Sequence, residues 1–257
     1  MIKVVKIGGN VIDSEESLSS FVSDFASIEG PKVLVHGGGK LATRLAERLD
    51  IPTTMIDGRR VTDSDTLDVV TMVYAGLVNK RFVAMLQSLG CNAIGLSGAD
   101  GGAVRATRRA ANPIDFGFVG DISVEGVDAA FIRNLTEQGT VPVFCSIMHD
   151  GKGQLLNCNA DSVASAVAVG LATECDTELL FCFEKRGVMR DVDDDTSVIA
   201  NINREGYKAL LAEGVVNKGM IPKIDGAFRA LECGVKVVTI KHSAELADSS
   251  AGTKIEL

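Results

Sequence analysis

An alternation of two kinds of segment narrows the fold more than any other feature of this chain. Short runs rich in Val, Ile, Leu and Phe take turns with longer stretches whose apolar residues recur at helical spacing. Strand-like runs are IKVVKIGG (2–9), KVLVHGGG (32–39), TTMI (53–56), NAIGLSG (92–98), VPVFCSI (141–147), DTELLFCF (176–183) and VKVVTIKH (235–242). Helices are predicted near 15–28, 40–49, 64–89, 128–138, 161–172, 204–214 and 220–234. In the second of these, Leu41, Leu45 and Leu49 recur every fourth residue on one face. The stretch AVRATRRAANPIDFGFVGDIS (103–123) reads as a hairpin. Such alternation builds an α/β fold with a mainly parallel sheet covered on both faces. A chain of 257 residues can bury a large core, as one domain or as two lobes meeting near residues 172–177.

Charge and composition exclude several functions. The net charge of −8 argues against nonspecific nucleic-acid binding, which needs a basic surface. Only 5% of residues are aromatic and none is Trp, so base-stacking platforms are not expected. Cys91, Cys145, Cys158, Cys175, Cys182 and Cys233 show no metal-ligand spacing and read as structural thiols of a reducing compartment. The chain opens on a strand, with no basic leader or long apolar segment, so a cytoplasmic protein without membrane contact is expected.

The chemistry concentrates at strand ends. In KVLVHGGGKLATRLAERL a β-branched run meets Gly37, Gly38 and Gly39, and a helical pattern starts at once behind them. Bare backbone amides at a helix start favour an anion, and phosphate is the first candidate. GGGKLA also fits the dinucleotide fingerprint G-x-G-x-x-A, with Asp57 downstream where a ribose-binding acid belongs. A second glycine turn, Gly8–Gly9, follows Lys6 on the first strand. Lysine is an unusual choice in a short apolar strand, unless it ends the strand and points at something. Lys223 follows Pro222 in the first turn of a helix, where a cation opposes the helix dipole. Two lysines in locally costly places beside two glycine turns describe a polyanion site.

Other residues admit plainer readings. Arg60 in GRRVTD offers a planar fork for a carboxylate, or a surface pair with Asp57 or Asp63. In LLNCNADS, Asn157 and Asn159 precede Asp161, which in isolation reads as a helix N-cap. The three histidines, His36, His149 and His242, form no recognisable triad. A carboxylate nucleophile would need no base, because it is already ionised near pH 7.

KIGGN, HGGGK, GRRVTD, NCNAD and GMIPK stand in the order and spacing of the acetylglutamate kinases of the amino acid kinase superfamily. The resemblance runs nearly end to end, down to the closing GTKI. It implies the amino acid kinase fold, an open three-layer α/β/α sandwich, with an acylglutamate-binding and dimerising N-lobe (1–174) and an ATP-binding C-lobe (175–257). Lys6 and Lys223 would flank the transferring phosphoryl group, and Asp161 would orient both. Gly38 and Gly39 would bind substrate and phosphoryl group, Arg60 the α-carboxylate, and Asn157 the amino acid portion, with Asn159 similar by position. Nucleotide contacts would fall at Gly8, Gly9, Glu184, Gly187 and Met220. The resemblance further implies a homodimer, an N-acyl-L-glutamate substrate (acetyl or succinyl), and MgATP, with Mg²⁺ carried by the nucleotide rather than by a protein cage.

Two departures stand out. Where the family has a stretch like LTDV.GV, this chain reads LFCFEKRGVM, so Glu184 replaces an Asp. Where the family has GLRVTD, Arg59 adds a cation beside Arg60 and marks a position for acyl specificity. The sequence starts on the first strand itself and so resembles the arginine-insensitive, dimeric members, which is the expectation here. The expected reaction is phosphorylation of the side-chain carboxylate of an N-acylglutamate in arginine biosynthesis. The alternatives are a kinase for carbamate, aspartate, glutamate or a nucleoside monophosphate, an NAD-dependent oxidoreductase, and an inactive nucleotide-sensing homologue.

Overall fold

A computed structural model describes residues 1–56, 58–191, 193–216 and 219–257. In chain order the first half runs β1 (Ile2–Ile7), α1 (Gly9–Ile12), α2 (Glu15–Ser27), β2 (Lys32–His36), α3 (Gly39–Arg48), β3 (Met55–Ile56), β4 (Arg59–Arg60), α4 (Ser64–Thr71), α5 (Asn79–Ser88) and β5 (Ala93–Leu96). It continues through β6 (Thr107–Arg108), β7 (Gly120–Asp121), α6 (Ala129–Glu137), β8 (Val141–Phe144), β9 (Ile147–His149), β10 (Leu155–Asn157) and α7 (Ala160–Ala172). The last part holds β11 (Thr177–Phe183), β12 (Asn201–Ile202), α8 (Arg204–Ala212), α9 (Ile221–Glu232), β13 (Val237–His242) and β14 (Thr253–Ile255).

Eight strands form one sheet in the order β12-β14-β13-β11-β1-β2-β8-β5. The six strands from β13 to β5 are parallel to one another, and β14 turns back antiparallel to β13. Side chains of β1 alternate between the two faces: Ile2 and Val4 enter one core, Val5 and Ile7 the other. The first core lies under α6, α7, α8 and α9, the second under α2, α3, α4 and α5. This is the expected three-layer arrangement, and the sheet runs unbroken through residues 172–177 because β11 pairs directly with β1.

Several local readings change. The expected strand at 141–147 breaks after Phe144: Cys145 donates to Leu96 O and the chain then enters the β9–β10 hairpin. TTMI contributes only the two residues of β3, paired with β4 outside the main sheet. The chain does hold one long apolar segment, contrary to the sequence expectation. A π-helical turn (Met72–Val78) joins α4 and α5 into one helix, Ser64–Ser88, long and apolar enough by length and composition to cross a membrane. Here its Leu67, Val70, Val73, Phe82 and Leu86 sit in the second core.

Parallel strands deliver their carboxyl ends to one edge of a sheet, where ligands of open α/β folds bind. Ile7 is in register with both His36 and Cys182, so β1, β2 and β11 end side by side. Both glycine turns therefore open on the same edge.

Candidate active site

Lys6 is the penultimate residue of β1 and points toward the face covered by α7. Asp161 stands in the first turn of α7, where a negative charge is favoured by the dipole. Its Oδ1 lies 2.7 Å from Lys6 Nζ and its Oδ2 2.6 Å from Lys223 Nζ. Burial alone would raise the Asp161 carboxyl, but the two ammonium charges override it and hold the group well below the usual carboxylate range. The helix N-cap is not Asp161, as its sequence alone suggests, but Asn159, whose Oδ1 accepts from the amides of Asp161 and Ser162. With the cap supplied by its neighbour, the Asp161 carboxylate is released to bridge two lysines. Lys223 occupies the first turn of α9 behind Pro222, and this pairing offsets its unfavourable place in the dipole.

A cavity of about 200 Å³ opens beside this group, lined by Lys6, Gly9, Gly38, Gly39, Arg59, Arg60, Asn157 and Asn159 among others. Gly38 must be glycine because a Cβ there would lie 2.9 Å from the Tyr74 ring. Arg60 is buried, and its guanidinium donates to Thr53 Oγ1, Thr43 Oγ1 and the carbonyl of Gly39. The fork thus braces the glycine turn and still faces the cavity. Asn157 donates to Thr62 Oγ1, which in turn donates to Arg60 O. A larger cleft of about 710 Å³ lies between Arg105, Val127, His149 and Glu174, and contains none of these residues.

Arg59 lines the same cavity, and its side chain makes no hydrogen bond or ion pair with the described residues. Burial lowers its pKa and the nearby Arg109 lowers it further, while Asp121 acts in the opposite direction. Asp121 is already held by both ends of the Arg109 guanidinium. Asp57, the candidate ribose-binding acid, lies outside the described residues.

The expected nucleotide contacts are more spread out. Gly8 follows β1, with its amide bonded to Cys182 O. Glu184 follows β11 and accepts from Asn10 Nδ2 at 2.7 Å, linking the first glycine turn to the atypical FEKRG stretch. Gly187 is buried where a Cβ would lie 2.6 Å from Thr253 Oγ1. Met220 is the N-cap residue of α9. Glu184, Gly187 and Met220 do not line the 200 Å³ cavity. No group of three or more His, Cys, Asp or Glu suited to a metal ion occurs among the described residues.

Sequence reasoning missed Tyr74, Thr43, Thr53 and Ser146. Tyr74 carries no signal in the sequence; it lies in the π-helical turn with its ring against Gly38. Ser146 sits at the break between β8 and β9, which no sequence signal marked.

The amino acid kinase family model matches residues 1–242. The acetylglutamate kinase of Phocaeicola vulgatus is 49% identical over 99% of this chain and 98% of its own length. That of Cytophaga hutchinsonii is 48% identical over 98% of this chain and 97% of its own. Among solved structures, smu.665 from Streptococcus mutans superposes with a TM-score of 0.78 at 29% identity, over 99% of this chain and 98% of that one.

Proposed function

The chain belongs to the amino acid kinase family, among its acetylglutamate kinases, and we propose that its site transfers the γ-phosphoryl group of ATP to the side-chain carboxylate of an N-acyl-L-glutamate. The reaction serves arginine biosynthesis. One observation carries the site assignment: a carboxylate clamped between Lys6 and Lys223 beside two glycine turns and a small cavity. Residues 1–174 would hold the acylglutamate and residues 175–257 the nucleotide.

In this mechanism a carboxylate oxygen of the substrate attacks the γ-phosphorus in line. The bond to the β,γ-bridging oxygen breaks, and ADP leaves with that electron pair. Catalysis is positioning plus charge stabilisation, with no proton to remove. Lys6 and Lys223 face the phosphoryl oxygens and the leaving oxygen, and Asp161 keeps both ammonium groups aimed. The amides of Gly8, Gly9, Gly38 and Gly39 supply further donors, and Arg60 and Asn157 fix the amino acid end, with Asn159 beside them. Mg²⁺, borne by the ATP phosphates, would neutralise their charge. Glu184, Gly187 and Met220 are assigned to the nucleotide side. We place the enzyme in the cytoplasm as a homodimer; the exposed Met72 and Leu77 of the long helix, Leu89 just past its end and Ile94 of the edge strand β5 supply an apolar face for a second copy.

Arg59 supports a finer reading. A half-buried cation facing the cavity, without a carboxylate of its own among the described residues, matches an acyl arm that ends in an anion, as in N-succinylglutamate. The test of the function is ADP release with N-acetylglutamate, N-succinylglutamate, glutamate, aspartate and carbamate. Turnover of a free amino acid or carbamate in preference to both acylglutamates overturns the assignment. The dinucleotide alternative leaves the Lys6–Asp161–Lys223 group without a role, and titration with NAD against ATP separates the two.

A further inference from the structure

We propose that His36 is a positioning residue: it turns the Gly37–Gly38 peptide so that the Gly38 amide faces the cavity. His36 ends β2, is fully buried and does not line the cavity. Its Nδ1 lies 2.8 Å from Gly37 O. A carbonyl only accepts, so Nδ1 carries the proton. The opposite nitrogen, Nε2, lies 3.1 Å from Asn79 Nδ2.

The orientation of that amide follows from its other partners. Asn79 Nδ2 also donates to Val143 O at 2.8 Å, and Asn79 Oδ1 accepts from Lys80 Nζ at 3.2 Å. Asn79 therefore presents an N–H to Nε2, which must be the acceptor. The ring is neutral, with one tautomer selected, and Phe82 packs on it with centroids 5.1 Å apart.

In a trans peptide the carbonyl and the following N–H point opposite ways. A donor that draws Gly37 O into the protein thus turns the Gly38 N–H outward, and Gly37, Gly38 and Gly39 all line the cavity. Three consecutive glycines have few steric barriers of their own, so the turn needs an external lock. His36 locks one side, the Tyr74 ring fills the other, and Arg60 holds the carbonyl of Gly39. This role rests on the kinase reading only for its effect on rate.

Two substitutions separate positioning from packing. His36→Phe keeps the ring volume and loses the donor; His36→Asn sacrifices the ring but places an amide N–H near the position of Nδ1. Positioning predicts that His36→Phe lowers kcat about 10- to 100-fold, the scale of misplacing a reacting group, with little change in acylglutamate KM. His36→Asn then retains more kcat than His36→Phe although it is the less stable protein. A packing role predicts that only stability differs between the two variants, with kcat per folded enzyme unchanged in both. Hydrogen exchange of the Gly37, Gly38 and Gly39 amides gives a readout that needs no turnover, and it should speed up in His36→Phe. If the wild type turns over no acylglutamate, the kinase reading fails while this exchange result still decides the role of His36. Should His36→Phe not fold, Asn79→Leu removes the tautomer lock from outside the ring, and a smaller kcat loss in the same direction is expected. Wild-type kcat and wild-type glycine exchange in either folded variant overturn the proposal.

Discussion

Arg59→Leu is the most informative single change, because it tests whether a side chain that departs from the family pattern reads the acyl group. A cation on a cavity wall is stabilised either by a protein carboxylate or by the ligand. Among the described residues the carboxylate that acts on Arg59 is Asp121, which is held by both ends of Arg109, and Arg109 adds repulsion on Arg59. The terminal carboxylate of a succinyl arm would complete the pair. A charge-assisted hydrogen bond of this kind contributes about 1.5–3 kcal/mol, or roughly 10- to 150-fold in kcat/KM between a substrate with the charge and one without. The assay is coupled ADP release with N-succinyl-, N-acetyl- and N-succinamoylglutamate, the last matching the succinyl arm in length without its charge. The wild type should prefer succinyl over both others, and Arg59→Leu should abolish most of that preference. The reasoning fails if the wild type uses N-acetylglutamate better, or if the succinyl-to-acetyl ratio is the same in both proteins. Asp121 would then be a sufficient partner for Arg59 while shared with Arg109.

Lys6→Ala and Lys223→Ala should each lower kcat by on the order of 10²-fold or more, the scale of losing one transition-state donor; wild-type turnover in a folded variant removes that lysine from the mechanism. Arg60→Ala should raise acylglutamate KM about 10- to 100-fold and also lower kcat, because the same guanidinium braces Gly39; loss of ATP binding alone in steady-state kinetics would assign it to the nucleotide instead. The Asp161 carboxyl is held below its ordinary range, so its contribution to stability is complete above about pH 5 and is lost as the pH falls below about 4. Urea midpoints of wild type and Asp161→Asn should accordingly converge at low pH; a constant gap contradicts the ion-pair account. His36 is pushed down to about 4 by burial, so the unfolded chain binds its proton first. Stability should therefore fall from about pH 6.5 to pH 4 by on the order of 3 kcal/mol, and His36→Asn should flatten that part of the urea profile.

Much of this architecture is written locally. β-branched runs ending in glycine, helices starting behind them and Pro222 in the first turn of α9 depend on residues a few positions apart, so the alternating fold and the strand ends that carry the candidate site were legible in the sequence. The motifs that placed the chain among the acetylglutamate kinases are equally local strings. What they could not express is partnership across the fold. Asp161 and Lys223 are 62 positions apart, and their contact exists because parallel pairing of β1 with β11 brings α7 and α9 to one end of the sheet. Whether Asp161 caps its own helix or bridges two lysines was settled by Asn159 taking the cap. Tyr74 lies in a π-helical turn and lines the cavity, and among the described residues Arg59 pairs with no carboxylate, Asp121 being held by Arg109 on a different hairpin. Such competition between distant side chains for one partner has no signature in spacing or periodicity. It is decided only when packing fixes which charges share a surface and which face an open cavity.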